Sequence, residues 1–551
     1  MMLLWLLLVP FIGGLACWRL ERLGATLVRW IALGALFIVL ALVADLWLRG
    51  DYSLTLLHSA GGAGGRWPVQ LSVPWIARLG VRFSLGLDGL SLLLVALTGL
   101  LGVMAVACSW REIARKVGYF HMNLLWTLGG VIGVFLATDL LLFFVFWEVM
   151  LVPMFFLIAL WGRDVPGGMG RIEAAIKMFI FTQASGLLLL IATLALALVH
   201  ARETGVLTFD YAALLETPLS DRAAFWIMLG FFVAFVVKMP AVPLHSWLPD
   251  AYSQAPTAGS VVLAGVLAKA APYGLLRFLL PLFPQASAAL APVAMSLGVL
   301  GIVYGAISAF GQNDMKRLVA YTSVSHMSFM LVGIYAGTEE ALQGVIIQML
   351  AHGFATGGMF ILCGELDERL HTRSLDEMGG LWARLSYLPP VALFFVLAML
   401  GLPGLGNFLG EFLILLGAFK VHPAVAVVAA SGLIVSAVYA LMLMQRAFQG
   451  KPREETPLRD LNRRELAMLV SAMAALTGLG LYPQPILDLS RASMQALQGW
   501  YAAPATGGGA AARTGAGSLE RPALAELRTR QARREGVPAA ATAHLVTGRA
   551  P

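Results

Sequence analysis

Apolar residues along this chain do not follow the 3.6-residue stripe of a soluble helix or the alternation of a half-buried strand. They run together for about 20 positions, the length of a membrane-crossing helix, and the charged residues collect in the gaps. Fourteen runs can be drawn, at 2–18, 28–48, 83–109, 118–137, 140–161, 172–199, 223–239, 257–280, 289–310, 317–336, 340–363, 387–419, 424–445 and 465–485. Backbone groups inside lipid must bond to one another, so each run predicts a helix. A β-barrel would instead show alternating segments of about ten residues. The expected fold class is an all-α polytopic membrane protein with about 14 transmembrane helices.

Composition agrees. Of 551 residues, 59% are hydrophobic and 13% charged, and the mean hydropathy is +0.80. A soluble globule cannot bury that much apolar surface. No basic residue precedes the first run, and Arg19 follows it, which argues against a cleaved signal peptide. The positive-inside rule then places 19–29 in the cytoplasm and the N-terminus outside. Alternation puts Arg111, Arg115 and Lys116, then Arg163 and Arg171, Lys316 and Arg317, Arg369, Arg373 and Arg384, and the segment 446–464 on that same side, and each is basic. The long loop 49–82, with four arginines, is the exception.

The net charge is +7, part of it in a tail rich in Ala, Gly and Arg with RTRQARR at 528–534, which reads as disordered. Cys17, Cys108 and Cys363 are far apart, and neither metal-ligand nor iron–sulfur spacing is present. No glycine loop suited to phosphate follows a strand. The chain is therefore expected to carry no cofactor and no metal of its own.

The informative residues are ionisable groups inside apolar runs. Glu148 lies near the middle of 140–160, Lys177 in the sixth run, Lys238 at the end of the seventh and Lys269 in the eighth. His326, His352 and Glu411 occupy the tenth, eleventh and twelfth. Each charge at the bilayer centre costs about 2.5–3.5 kcal/mol on insertion scales. A lone lysine can snorkel and a lone histidine can be a satisfied core group, but a carboxylate such as Glu148 has no stem long enough to reach water.

These groups repeat. From Glu148 to Lys177 to Lys238 the steps are 29 and 61; from His326 to His352 to Glu411 they are 26 and 59. The offset is five helices, an odd number, so the second copy enters the membrane from the opposite side. That predicts two inverted five-helix repeats, 111–281 and 282–449, flanked by 1–110, a final helix in 450–500 and the tail 501–551. Both copies also break at the third of these positions. VVKMPAVPLHSWLPDAYSQAPTAGS (Val236 to Ser260) follows Lys238 with Pro240, Pro243, His245, Pro249 and Asp250. GLPGLGNFLGEF (Gly401 to Phe412) precedes Glu411 with Pro403 and four glycines. Broken helices at membrane depth are tolerated only beside a polar cavity. Lys238 falls at a negative C-terminal helix end and Glu411 near a positive N-terminal one, so each charge suits its place. Such balanced groups suit a proton relay.

VVKMPAVPLHSWLPDAYSQAPTAGSVVLAGVLAK, FWEVMLVPMFFLI, NDMKRLVAYTSVSHMSFM and LPGLGNFLGEFLIL resemble segments of the antiporter-like subunits of respiratory complex I and of Mrp cation/proton antiporters, over about residues 80–450. The resemblance implies the fourteen-helix inverted-repeat fold and a proton path through Glu148 and Lys238, Lys269 as connecting lysine, and His326 with Glu411. Lys177, His245 and His352 are further candidates. It implies a Glu148–Lys238 ion pair, neighbouring antiporter-like chains as partners, and flavin and iron–sulfur clusters in other subunits. An acid at 411, where sister chains tend to carry lysine, favours the complex I branch; a sodium/proton antiporter of the Mrp type is the alternative. Tyr252 stands where a histidine is common and receives no proton role.

Overall fold

The computed structural model describes residues 1–50, 52, 67–164, 169–451 and 457–502; the Arg-rich tail lies outside the described residues. The chain starts with α1 (Met2–Arg19) and α2 (Ala25–Arg49), a hairpin of β1 (Val69–Ile76) and β2 (Val81–Leu87), then α3 (Gly89–Glu112) and α4 (Val117–Leu136). Next come α5 (Leu140–Val149), α6 (Leu151–Trp161), α7 (Arg171–Thr204), α8 (Tyr211–Leu215), α9 (Asp221–Lys238), α10 (Trp247–Gln254), α11 (Thr257–Gly265), α12 (Ala270–Gly274) and α13 (Leu280–Leu282). The second half holds α14 (Pro284–Phe310), α15 (Met315–Ala336), α16 (Glu339–Leu370), α17 (Leu388–Leu400), α18 (Gly406–Val421), α19 (Pro423–Phe448), α20 (Arg463–Leu481) and α21 (Gln484–Ala502).

Among the described residues, twelve helices are long and apolar enough to cross a membrane, with α5–α6 and α11–α13 each counted as one. The two runs left over are α9, which carries Asp221, Arg222 and Lys238, and the α17–α18 pair, interrupted at Gly401. Every apolar run of the sequence thus holds helix. Both expected breaks are present, each at the fourth apolar run of its expected copy: α9 gives way to turns before α10, and α17 to a turn before α18.

Two features were not expected. Residues 83–87 belong to a strand rather than to the third helix, because β1 and β2 pair antiparallel from Val69↔Leu87 to Ile76↔Val81. The turn needs Gly80, at φ +68, where a Cβ would lie 1.9 Å from the Leu207 carbonyl oxygen. Asp88 then starts α3 by accepting from the Ser91 amide. Second, the amphipathic α21 follows the last apolar run and docks on α3, where Ser493 Oγ donates to Asp88 Oδ2 at 2.7 Å.

Contacts sort the loops onto two faces. On one face Arg163 pairs with Asp367, Trp161 Nε1 donates to the Arg115 carbonyl at 2.9 Å, the Met315 amide donates to the Arg373 carbonyl at 3.0 Å, and Arg369 meets Glu465 at 2.6 Å. All of these segments are basic loops expected on one side. The opposite face holds the hairpin, the buried Arg277–Asp88 pair and Tyr211, whose hydroxyl donates to the Arg277 carbonyl at 2.7 Å. Between the faces, α11–α13, α15 and α16 are enclosed by other helices, while α1, α2 and α19 leave most of their surface outward. The ionisable groups sit on the enclosed elements or face them, which keeps them off lipid.

A remote residue caps α17. Asp460 accepts from the amides of Ser386 (2.6 Å), Tyr387 (2.7 Å), Leu388 (3.1 Å) and Leu461 (2.7 Å). Partial burial pushes its carboxyl up, but these amides outweigh that and hold it below the ordinary aspartate range. Asp460→Ala should destabilise the start of α17 by about 1 kcal/mol, read as faster amide exchange at 386–388. In the native chain the stabilisation is present above the unfolded aspartate pKa and is lost as pH falls through the depressed folded value.

Candidate functional site

A row of buried polar side chains crosses the interface between the two halves. It begins at the break between α11 and α12. Val266 leaves the helical region (φ −127, ψ −54), and a short 3₁₀ turn, Leu267–Lys269, follows. The break frees the Ala264 carbonyl, which accepts from Lys269 Nζ at 2.6 Å. The same ammonium lies 2.6 Å from His352 Nδ1 on α16. The His352 ring meets the His326 ring of α15 edge to face, centroids 5.8 Å apart. His326 Nδ1 is 2.5 Å from Glu411 Oε1 on α18, and Gln348 Nε2 donates to that oxygen at 2.8 Å. All five side chains are buried.

Lys269, His326, His352 and Glu411, picked from the sequence as isolated ionisable groups, are thus brought together by four elements. Sequence reasoning missed Gln348 and Asn407. Each lies one helical turn before a flagged group, His352 and Glu411 respectively, and so shares its face. The Asn407 side-chain amide and both histidine Nε2 atoms are buried and, among the described residues, have no hydrogen-bond partner. Polar atoms of that kind are where buried water binds.

The first cluster is looser. Lys238 is the last residue of α9, at the negative helix end. Glu148 is one residue from the end of α5. No ion pair joins them within 4.0 Å among the described residues. Lys238 Nζ instead lies 4.1 Å from the centroid of the Trp147 ring and, among the described residues, has no hydrogen-bond partner. Successive helical residues point about 100° apart, so the indole of Trp147 reaches Lys238 while Glu148 turns toward α7. There the carboxyl faces Gln183 and fits against Gly186, where a Cβ would fall 1.9 Å from Oε1. A void of about 10 Å³, lined by Lys238, Thr182, Tyr252, Leu267 and Ala268, separates Lys238 from the Lys269 turn. That is room for about one water.

The remaining candidates sit apart. Lys177 does not join Glu148 and Lys238; its Nζ binds Asp250 Oδ2 at 2.6 Å, and Arg317 takes Oδ1 at 2.6 Å. The reason is local: α10, which carries Asp250, packs between α7 and α15 and offers both cations one carboxylate. His245, in the turn before α10, meets Tyr304 edge to face (centroids 4.9 Å apart) and Tyr321 at a tilt (6.3 Å). Tyr252 donates its hydroxyl to the Leu263 carbonyl at 3.2 Å.

A family profile described as NADH:quinone oxidoreductase/Mrp antiporter, TM, matches residues 137–436. The chain belongs to this family. It is 58% identical to NADH-quinone oxidoreductase subunit M of Pseudomonas aeruginosa over 504 residues, covering 91% of this chain and 98% of that protein. It is 57% identical to the subunit M of Escherichia coli (strain K12), with the same coverage. A chain of respiratory complex I from Thermus thermophilus superposes with a TM-score of 0.78 at 32% identity, covering 91% of this chain and 99% of that one. A chain of the Mrp complex from Dietzia sp. DQ12-45-1b shares the fold alone, with a TM-score of 0.77 at 23% identity. The match therefore spans both broken helices and every candidate residue.

Gly186 offers a test of the Glu148 placement. Gly186→Ala should destabilise the chain by about 1–3 kcal/mol through overpacking. In a Glu148→Ala background most of that cost should vanish. A double-mutant cycle on thermal unfolding in detergent measures the difference, and additive effects would contradict the placement.

Proposed function

We infer that the chain is the subunit M-type, proton-translocating member of the membrane arm of a bacterial NADH:quinone oxidoreductase, multi-pass in the cytoplasmic membrane with its N-terminus outside. The observation that carries this reading is the buried row from Lys269 through His352 and His326 to Glu411. It contains ionisable groups in van der Waals or hydrogen-bond contact and ends on an acid. A pore for hydrated ions would need continuous width; this row offers groups that pass a proton.

In this reading the chain performs no redox step. Flavin and iron–sulfur clusters belong to partner subunits, and quinone reduction there reaches this chain as an electrostatic or conformational signal through neighbouring antiporter-like chains. Glu148 and Lys238 receive it. The Lys238 ammonium on the Trp147 face moves toward Glu148 or away from it, and the field at Lys269 changes with it. Water in the void behind Lys238 connects the lysines when the site hydrates. Lys269 protonates the row, and Glu411 releases the proton toward the outer face. The Lys177–Asp250–Arg317 cluster ties the segment after Lys238 to both halves, so a shift of α10 is felt by each.

Glu148→Gln fills the same volume without a titratable group. Assembly should persist while NADH-driven quinone reduction and proton pumping in membrane vesicles fall at least about tenfold, a barrier increase of about 1.4 kcal/mol. Near-normal rates would remove Glu148 from the path. Lys238→Arg keeps the charge but not a releasable proton, so pumping should fail while the complex still assembles.

At the other end, Glu411→Gln retains an acceptor for Gln348 but cannot titrate, and should stop pumping. Glu411→Lys restores a titratable group at a helix end that disfavours a cation by about 0.3–1 kcal/mol, and should retain partial activity. Equal pumping by the two variants would show that titration at 411 is not required.

A further inference from the structure

On the face that gathers the basic loops, a cavity of about 570 Å³ opens between the end of α3, the α6–α7 connection, the α10–α11 junction and the end of α16. Its rim residues Arg111, Arg163 and Glu368 are exposed, and its floor is buried. Most charges of the wall pair with one another: Arg163 and Arg373 with Asp367, and Glu365 with Arg369. Among the described residues four form no ion pair: Arg111 and Glu368 at the rim, and Glu112 and Lys316, which instead bind groups at the α10–α11 junction.

The junction is built on Pro256, which has no N–H and ends α10. Lys316 Nζ, buried, donates to the Ala255 carbonyl at 2.9 Å and to Ser260 Oγ at 3.3 Å. Glu112 Oε1 accepts from the Thr257 amide at 3.0 Å and from Thr257 Oγ1 at 3.1 Å. The cation thus takes the C-terminal end of α10 and the carboxylate the N-terminal end of α11, as helix dipoles favour. Glu112 itself remains exposed to the cavity.

The other end of α11 is the Ala264 carbonyl bound by Lys269. One half-helix, about 13 Å long at 1.5 Å per residue, therefore carries a carboxylate exposed to a polar cavity at its N-terminus and the central lysine at its C-terminus.

We propose that this cavity is a proton-loading vestibule, with Glu112 as the group that takes protons from the medium on behalf of Lys269. The proposal rests on the relay reading above and names its uptake site. Water in the cavity delivers a proton to the Glu112 carboxylate, giving the neutral acid. Once Lys269 has passed its proton to His352 and stands as the neutral amine, the proton leaves Glu112 toward it along water beside α11, restoring the carboxylate and the ammonium. Atoms and charge balance without a co-reactant. Because Glu112 and Lys269 complement the two ends of one helix dipole, a change of charge at either end is felt at the other.

The test uses inverted membrane vesicles holding the whole complex, in which the basic-loop face meets the medium. Glu112→Gln keeps an oxygen for both Thr257 bonds but cannot be protonated. It should lower NADH-driven quinone reduction and proton pumping about fivefold to tenfold. Formate added to the medium, a small acid able to enter the cavity, should restore at least half of the lost quinone reduction, and Glu112→Asp should retain more activity than Glu112→Gln. Wild-type pumping by Glu112→Gln would overturn the proposal. So would a slowed Glu112→Gln that formate does not rescue and that Glu112→Leu merely matches, since that outcome marks a structural cap. Glu148→Gln in the same preparation separates the two readings. An active Glu148→Gln defeats the relay itself; an inactive one beside an unimpaired Glu112→Gln defeats only the vestibule.

Discussion

A charge kept below the surface of a bilayer has to find its partners inside the chain, and the rest of this structure follows from that constraint. Lys269, with no exposed surface, is held by one backbone carbonyl and one imidazole. Glu411 is held by an imidazole and an amide. Both rely on helix ends created by breaks in the surrounding segments. An unbroken α11 would bond Ala264 within its own ladder, leaving the ammonium without that acceptor. The breaks are thus the means by which ionisable groups are solvated by protein instead of water.

The two halves solve the problem differently. In the second half the groups lie in direct contact, from Lys269 to Glu411. In the first half Lys238 rests on the Trp147 ring and Glu148 on Gln183 and Gly186, and neither satisfies the other. A cation over an indole is held by the ring quadrupole, which weakens less abruptly with displacement than a directional hydrogen bond. The looser cluster is the one suited to respond to an outside signal, and the tighter row is the one suited to conduct. The Asp250 cluster lies between them and touches an element of each half.

Charge placement at helix ends recurs at three levels. Lys238 ends α9, Lys316 meets the end of α10, and Lys269 meets the end of α11. Glu112 meets the start of α11, and Glu411 lies within the second turn of α18. Each has the sign that the local dipole favours. In a medium of low dielectric such dipoles count for more than in water, so the same backbone breaks that solvate the charges also align them.

Much of this was legible in the chain itself. Runs of about 20 apolar residues dictate helices because lipid offers no partner to the backbone, and every run proved to hold helix, although the third begins in a strand. Prolines and glycines marked the breaks, and lone ionisable groups in apolar runs marked Lys269, His326, His352 and Glu411. What the chain could not show is which of these touch. Lys177 and His352 hold matching places in the two ordered sets, yet one binds Asp250 at the edge and the other completes the central row. Gln348, Trp147 and Gly186 look like ordinary helix residues until a neighbouring helix brings a charge against them. Glu112 sat at the end of a run as an unremarked loop acid, and only the packing of α3 against the α10–α11 junction gave it a helix to cap. Hydropathy is a one-dimensional property that lipid reads directly, whereas contact between helices depends on their rotation and crossing in the assembled bundle, and that is set by the packing of all of them together.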